Sequence, residues 1–105
     1  MDLGYADEKF SAAVHSIITL PETLTEHQKL EMAVHGTATV SATMLPEELQ
    51  FEFQRWRDAL TRIQDETKGS YTATIGQLSK HDVMMHLKTF ADLYSRISWA
   101  YEHQK

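Results

Sequence analysis

At 105 residues and 42% hydrophobic content, the chain is sized for one domain, with a single core and little room for a deep cleft beside it. Ten basic residues against fifteen acidic ones, a net charge of −5, disfavour binding to DNA or RNA, where phosphate contacts by basic groups supply most of the affinity. The absence of cysteine excludes disulfides, thiolate-bound zinc and thiol chemistry. The start "MDLGYADEKF" lacks the basic flank and apolar core of a signal peptide, and no apolar run approaches the roughly 20 residues of a membrane span. A cytoplasmic protein without a membrane partner is expected.

Residues 5–19 read as a first helix: Phe10, Val14 and Ile17 recur at helical spacing, with Ala13 and Ile18 beside them. Asp7 and Glu8 lie in its first turn, where the helix dipole favours anions. Leu20-Pro21 ends it, because the residue before a proline is pushed out of the α region. "TEHQ" then opens a second helix, with Thr25 as N-cap and Gln28 completing a capping box. Leu30 and Val34 begin its apolar seam.

The stretch "HGTATVSATMLPEE" is ambiguous. Thr37, Thr39, Ser41 and Thr43 alternate with Ala38, Val40, Ala42 and Met44, the period of a half-buried strand. Its natural partner would be "SYTATIG", where Tyr71, Ala73 and Ile75 alternate with Thr72 and Thr74. Two short strands make a sheet that is marginal alone, and the helix between them would require a crossover. A helix through 36–44 is therefore preferred, presenting a small-residue side to large neighbours such as Phe53, Trp56 and Phe90. Residues 71–78 then form a connection.

Pro46 suits the first position of a third helix, followed by Glu47 and Glu48 in its first turn. Leu49, Phe53, Trp56, Leu60 and Ile63 alternate spacings of four and three, a bundle seam. Gly69 in "KGS" is the expected stop. Ser79, with Asp82 three residues later, caps a long last helix over 80–104, whose Val83, Leu87, Phe90, Tyr94, Ile97 and Tyr101 keep the same rhythm. The pattern predicts an all-α, small four-helix bundle with long third and fourth helices over residues 1–105. The alternative is an α+β fold with short strands near 37–44 and 71–75.

Chemistry finds few footholds. His27, Glu31 and His35 are spaced four apart and would line one helix face, a possible zinc or iron set. That spacing lacks the Glu-x-x-His motifs of di-iron bundles, and six histidines among fifteen acids generate such runs readily. There is no Gly-x-Ser-x-Gly elbow and no glycine-rich phosphate loop. An Asp82–His86 pair one turn apart is surface electrostatics more often than a catalytic dyad. Neither an enzyme nor a cofactor is expected.

The informative anomaly is apolar residues off the seam. At 100° per residue, Phe51 lies about 200° from Leu49, among Arg55, Asp58 and Arg62. On the last helix Met85 and Trp99 lie about 200° and 160° from Val83, with Arg96 nearby and Leu93 to one side. Aromatics, methionine and arginine are enriched in protein–protein contacts. A central last helix would instead bury Met85 and Leu93. Projection of that helix past a shorter first helix would expose the end carrying Trp99 and Tyr101. The expected function is a protein-binding module, an adaptor, assembly factor or inhibitor, with Phe51, Arg55, Asp58, Arg62, Met85, Arg96 and Trp99 as the partner surface and a homodimer as one possible arrangement. A metal-binding bundle through His27, Glu31 and His35 is the competing expectation.

Overall fold

The computed structural model describes residues 2–19, 24–62 and 70–104. Five α-helices run in the order α1 (Leu3–Thr19), α2 (Glu26–Gly36), α3 (Glu47–Leu60), α4 (Ser70–Gly76) and α5 (Lys80–His103), with a 3-10 turn at Ala42–Met44. Among the described residues there is no strand. The all-α bundle is therefore the architecture, with five helices where four were expected. Its Cα radius of gyration is 13.6 Å, close to the roughly 13 Å of a chain this long.

The long helix α5 packs on α1, α2 and α3. Its buried stripe is Val83, Phe90, Leu93 and Ile97, with Leu87 and Tyr94 half-buried against the same core. Leu49, Phe53, Trp56 and Leu60 are the buried stripe of α3, as their spacing predicts. From α1 come Leu3, Ala6, Phe10 and Ala13. Four aromatic rings join these three helices. Phe10 stacks on Phe90 at 5.3 Å and tilts on Phe53 at 6.0 Å, while Trp56 stacks on Phe90 at 5.7 Å. The Trp56 indole N–H donates to the His86 carbonyl at 3.1 Å, so its polar atom is satisfied inside the core.

Local signals place the helix starts. Thr25 accepts from the Gln28 N–H while Gln28 reaches back to the Thr25 N–H, the expected capping box. Ser79 accepts from the Asp82 N–H at 3.1 Å. Pro46 stands one residue earlier than expected, as N-cap of α3. α3 ends at Leu60, with Thr61 as its C-cap and Arg62 outside the helix, earlier than the expected stop at Gly69; Ile63 and Gly69 themselves lie outside the described residues, as does the Leu20-Pro21 stop of α1.

Residues 37–45 form neither the preferred helix nor the alternative strand. α2 ends at Gly36, and the Thr37 hydroxyl turns back to the Ala33 carbonyl at 2.8 Å. Val40 N–H bonds the Thr37 carbonyl and Met44 N–H the Ser41 carbonyl, both three residues back. Thr37 and Val40 are buried while Ala38 and Thr39 are exposed. The backbone thus turns about every three residues, and the two-residue alternation never reaches the core. Arg57 holds the segment from α3: its two guanidinium ends donate to the Val40 and Thr37 carbonyls at 2.5 and 2.7 Å. The second expected strand, 71–75, lies within helix α4, where Thr74 and Ile75 are buried and the helix packs on α2 and α3. Tertiary packing overrides the β-branched propensity of this short segment.

Gly36 belongs to the crossing of α2 over α1. A Cβ placed there would sit 2.9 Å from the Ala13 Cβ, and neither atom has a side chain that can swing away. Gly36→Ala is therefore expected to destabilise by about 1–2 kcal/mol through overpacking, although alanine has the better helix propensity. Urea denaturation measures it; an unchanged or raised midpoint would show that the two helices separate at no cost.

Candidate functional site

The outer side of α5 carries two surfaces. The first lies where α3 and α5 run antiparallel. Arg96 of α5 bonds Glu52 of α3 and also Asp92 one turn back, the latter at 3.1 Å. The Asp92 bond, then the charges of Glu52 and Asp92, raise the Arg96 pKa above the ordinary guanidinium value. The helices that carry this exposed triad also carry two large apolar side chains in open solvent, Phe51 of α3 at 76% and Trp99 of α5 at 62% exposure. Trp99 stacks on His103 at 4.1 Å, and His103 bonds the Trp99 carbonyl through Nδ1. A shallow crevice beside Trp99 is lined by Glu48, Leu49, Ser95, Arg96 and Ala100.

A second crevice continues along the same helix pair, lined by Glu52, Arg55, Trp56, Ala59, His86 and Thr89. His86 is half-buried there, and its pKa is lowered, first by desolvation, opposed by the charge of Asp82 and reinforced by that of Arg62. Its folded pKa lies below the unfolded value of about 6.5, so the unfolded state takes up the proton first. The stabilisation is complete above about pH 6.5 and is lost as pH falls toward the lowered folded value. The slope of stability against pH between 5 and 7 should therefore flatten in His86→Asn. An unchanged slope would mean that His86 does not govern that window.

The second surface lies nearer the start of α5. It is an apolar groove of about 520 Å³ between the last turns of α1 and the first half of α5. Val14, Ile17 and Ile18 form one wall, and Met84, Met85 and Leu87 are among the residues of the other. Ile18, Met84 and Met85 are exposed. They are half of the large hydrophobic side chains that the described residues leave exposed, the others being Phe51, Trp99 and Tyr101. The same groove also carries Glu26, paired with Lys29 at 3.2 Å, with Lys88, His81 and Tyr94 on the α5 wall.

The expected partner residues are thus divided between the two surfaces. Phe51, Arg55, Arg96 and Trp99 lie along the α3–α5 pair, while Met85 belongs to the groove about 21 Å from Trp99 along α5. Asp58 accepts from Gln54 on the solvent side of α3, and Arg62 is exposed beyond its end. Leu93 is buried, as a central helix requires, but Met85 is not. The Trp99 end is exposed as expected, but not by projecting past α1: the start of α1 reaches it, with Gly4 close to the Tyr101 ring. Sequence reasoning missed Ile18 and Met84. Their signal was the doubled pairs Ile17-Ile18 and Met84-Met85, which put apolar groups on two adjacent sides of a helix.

His27, Glu31 and His35 do not converge. His27 bonds the Leu78 carbonyl through Nε2 at 2.8 Å, and His35 meets the Tyr71 ring edge-on at 6.0 Å. Among the described residues no group of three or more His, Asp or Glu side chains could hold an ion, and no helix is long and apolar enough to cross a membrane. Protein-family models, curated proteins and solved structures yield no match to this chain.

Proposed function

We propose that this chain is a non-enzymatic protein-binding domain of the cytoplasm, which acts by covering part of a partner's surface. The observation that carries this reading is the exposure of Phe51 and Trp99 on the two helices that the Arg96–Glu52 ion pair joins. Large aromatics and arginine are the residue types that dominate binding energy when a partner excludes water from them. The ion triad contributes little in water, because exposed pairs are worth about 0–1 kcal/mol. Against a partner it supplies directional charge, which sets orientation and association rate more than affinity.

The test is a comparison of variants. Wild-type chain and the double variant Phe51→Ala/Trp99→Ala are used as baits at equal concentration, with bound proteins quantified by mass spectrometry. The expected result is a protein retained by the wild type and lost at least tenfold from the variant, whose melting temperature is unchanged. Retention of the same proteins by both baits would remove this surface from the proposal. Light scattering across a concentration series separates self-association: a wild-type dimer that becomes monomeric in the double variant would make the partner a second copy.

A further inference from the structure

The groove between α1 and α5 is a second binding surface, separate from the Phe51–Trp99 face and independent of whether that face binds anything. We infer that it receives a short amphipathic helix of another protein, with an apolar stripe flanked by acidic residues.

Three properties of the groove select this occupant. Its walls are apolar side chains, Val14, Ile17 and Ile18 opposite Met84, Met85 and Leu87. An extended peptide laid there would leave its own N–H and C=O groups without partners, and buried unpaired backbone groups cost free energy. A helix satisfies those groups internally and presents only side chains, so it suits an apolar trough. The α5 wall from His81 to Tyr94 is about 20 Å long at 1.5 Å per residue, and the α1 wall from Val14 to Ile18 about 6 Å, so a docked helix would lie along α5 and meet α1 over about one turn.

The rim decides the charge. Lys29 is neutralised by its pair with Glu26. Lys88 makes no ion pair among the described residues, and His81 adds a second nitrogen donor on the same side of α5. In a chain of net charge −5, Lys88 thus leaves one unpaired positive charge on the edge of this apolar groove. Aspartate or glutamate beside the apolar stripe of an incoming helix would meet that edge, and lysine or arginine there would be repelled. Met84 and Met85 fit the same role, because unbranched thioether side chains repack around ligands of different shape.

The probe is a phage-displayed library of 16-residue helical peptides, panned on the full chain. Enriched sequences should carry apolar residues at i, i+3 or i+4, and i+7, with Asp or Glu beside them. A synthetic enriched peptide should shift the Met84 and Met85 methyl signals in carbon-13 spectra. Its affinity should fall by about tenfold or more in Met85→Glu and in Lys88→Glu, and it should weaken with salt. Met85 and Lys88 are exposed, so neither substitution threatens the fold, and circular dichroism verifies this. Phe51→Ala/Trp99→Ala should bind the peptide unchanged. Loss in that double variant with retention in Met85→Glu would overturn the groove and leave the first surface standing. Enrichment of basic peptides, or of peptides indifferent to Met85→Glu and Lys88→Glu, would also overturn it. So would methyl shifts produced by sodium laurate with no peptide enriched, which would assign the groove to a small amphiphile. A stable dimer whose methyl signals change on dilution would assign it to a second copy.

Discussion

Phe90→Ala is expected to cost about 3–5 kcal/mol, the range for removing a buried phenylalanine side chain. Phe90 stacks on Phe10 and on Trp56 and is almost wholly buried, so its loss opens a cavity where α1, α3 and α5 meet. A domain of this size has about 5–15 kcal/mol in total, and at about 4–8 °C per kcal/mol the melting temperature should fall by roughly 15 °C or more. The same substitution at Phe51, which lies in solvent, should change stability by no more than about 0.5 kcal/mol. The pair separates burial from residue type. Equal losses at the two positions in urea or thermal denaturation would contradict the packing of α3 and α5 described above.

Arg57→Ala is the second large effect, expected at about 2–4 kcal/mol. Hydrogen bonds to a charged group contribute roughly 1.5–3 kcal/mol each, and Arg57 makes two, to the Thr37 and Val40 carbonyls. Partial exposure of the side chain places the sum below twice the upper figure. Arg57 also lies over the Phe53 ring at 4.5 Å, a cation–π interaction that alanine would remove as well. Arg57→Lys should recover less than half, because one ammonium cannot span two carbonyls as a planar fork does. Hydrogen exchange should quicken at Val40 and Met44 in the alanine variant. Stability within about 0.5 kcal/mol of the wild type and unchanged exchange would show that the 37–45 segment holds itself.

Gly36, Arg57 and Phe90 act at different depths of one arrangement. Gly36 lets α2 approach α1, Arg57 fastens the chain that leaves α2, and Phe90 fills the space the helices enclose. Phe51, Trp99, Met84 and Met85 take no part in that packing. The side chains proposed to bind partners can therefore be changed without disturbing the core, which makes both binding proposals testable in folded protein.

Helix starts and core stripes were legible in the sequence because they depend on neighbours three or four residues away. The Thr25–Gln28 box, the Ser79 cap, the Leu49–Phe53–Trp56–Leu60 stripe and most of the α5 stripe are local consequences of helical geometry. The exposure of Phe51 and Trp99 was legible for the same reason, since each lies opposite its own stripe. Tyr101 shows the limit: it continues the rhythm of α5 but stands partly in solvent beside Gly4.

Only the tertiary structure decided the path of residues 37–45, because the group that holds it, Arg57, is 20 residues away from Thr37 in sequence. It also made a helix of 70–76, whose burial comes from α2 and α3 rather than from its own pattern. The groove belongs to neither α1 nor α5 alone. The sequence pattern groups Ile18 with the apolar side of its helix and does not single out Met84; they become one surface because the antiparallel packing of two helices brings their unburied sides together. Short-range geometry selected the helices, and contacts distant in sequence selected their arrangement and the surfaces left open for binding.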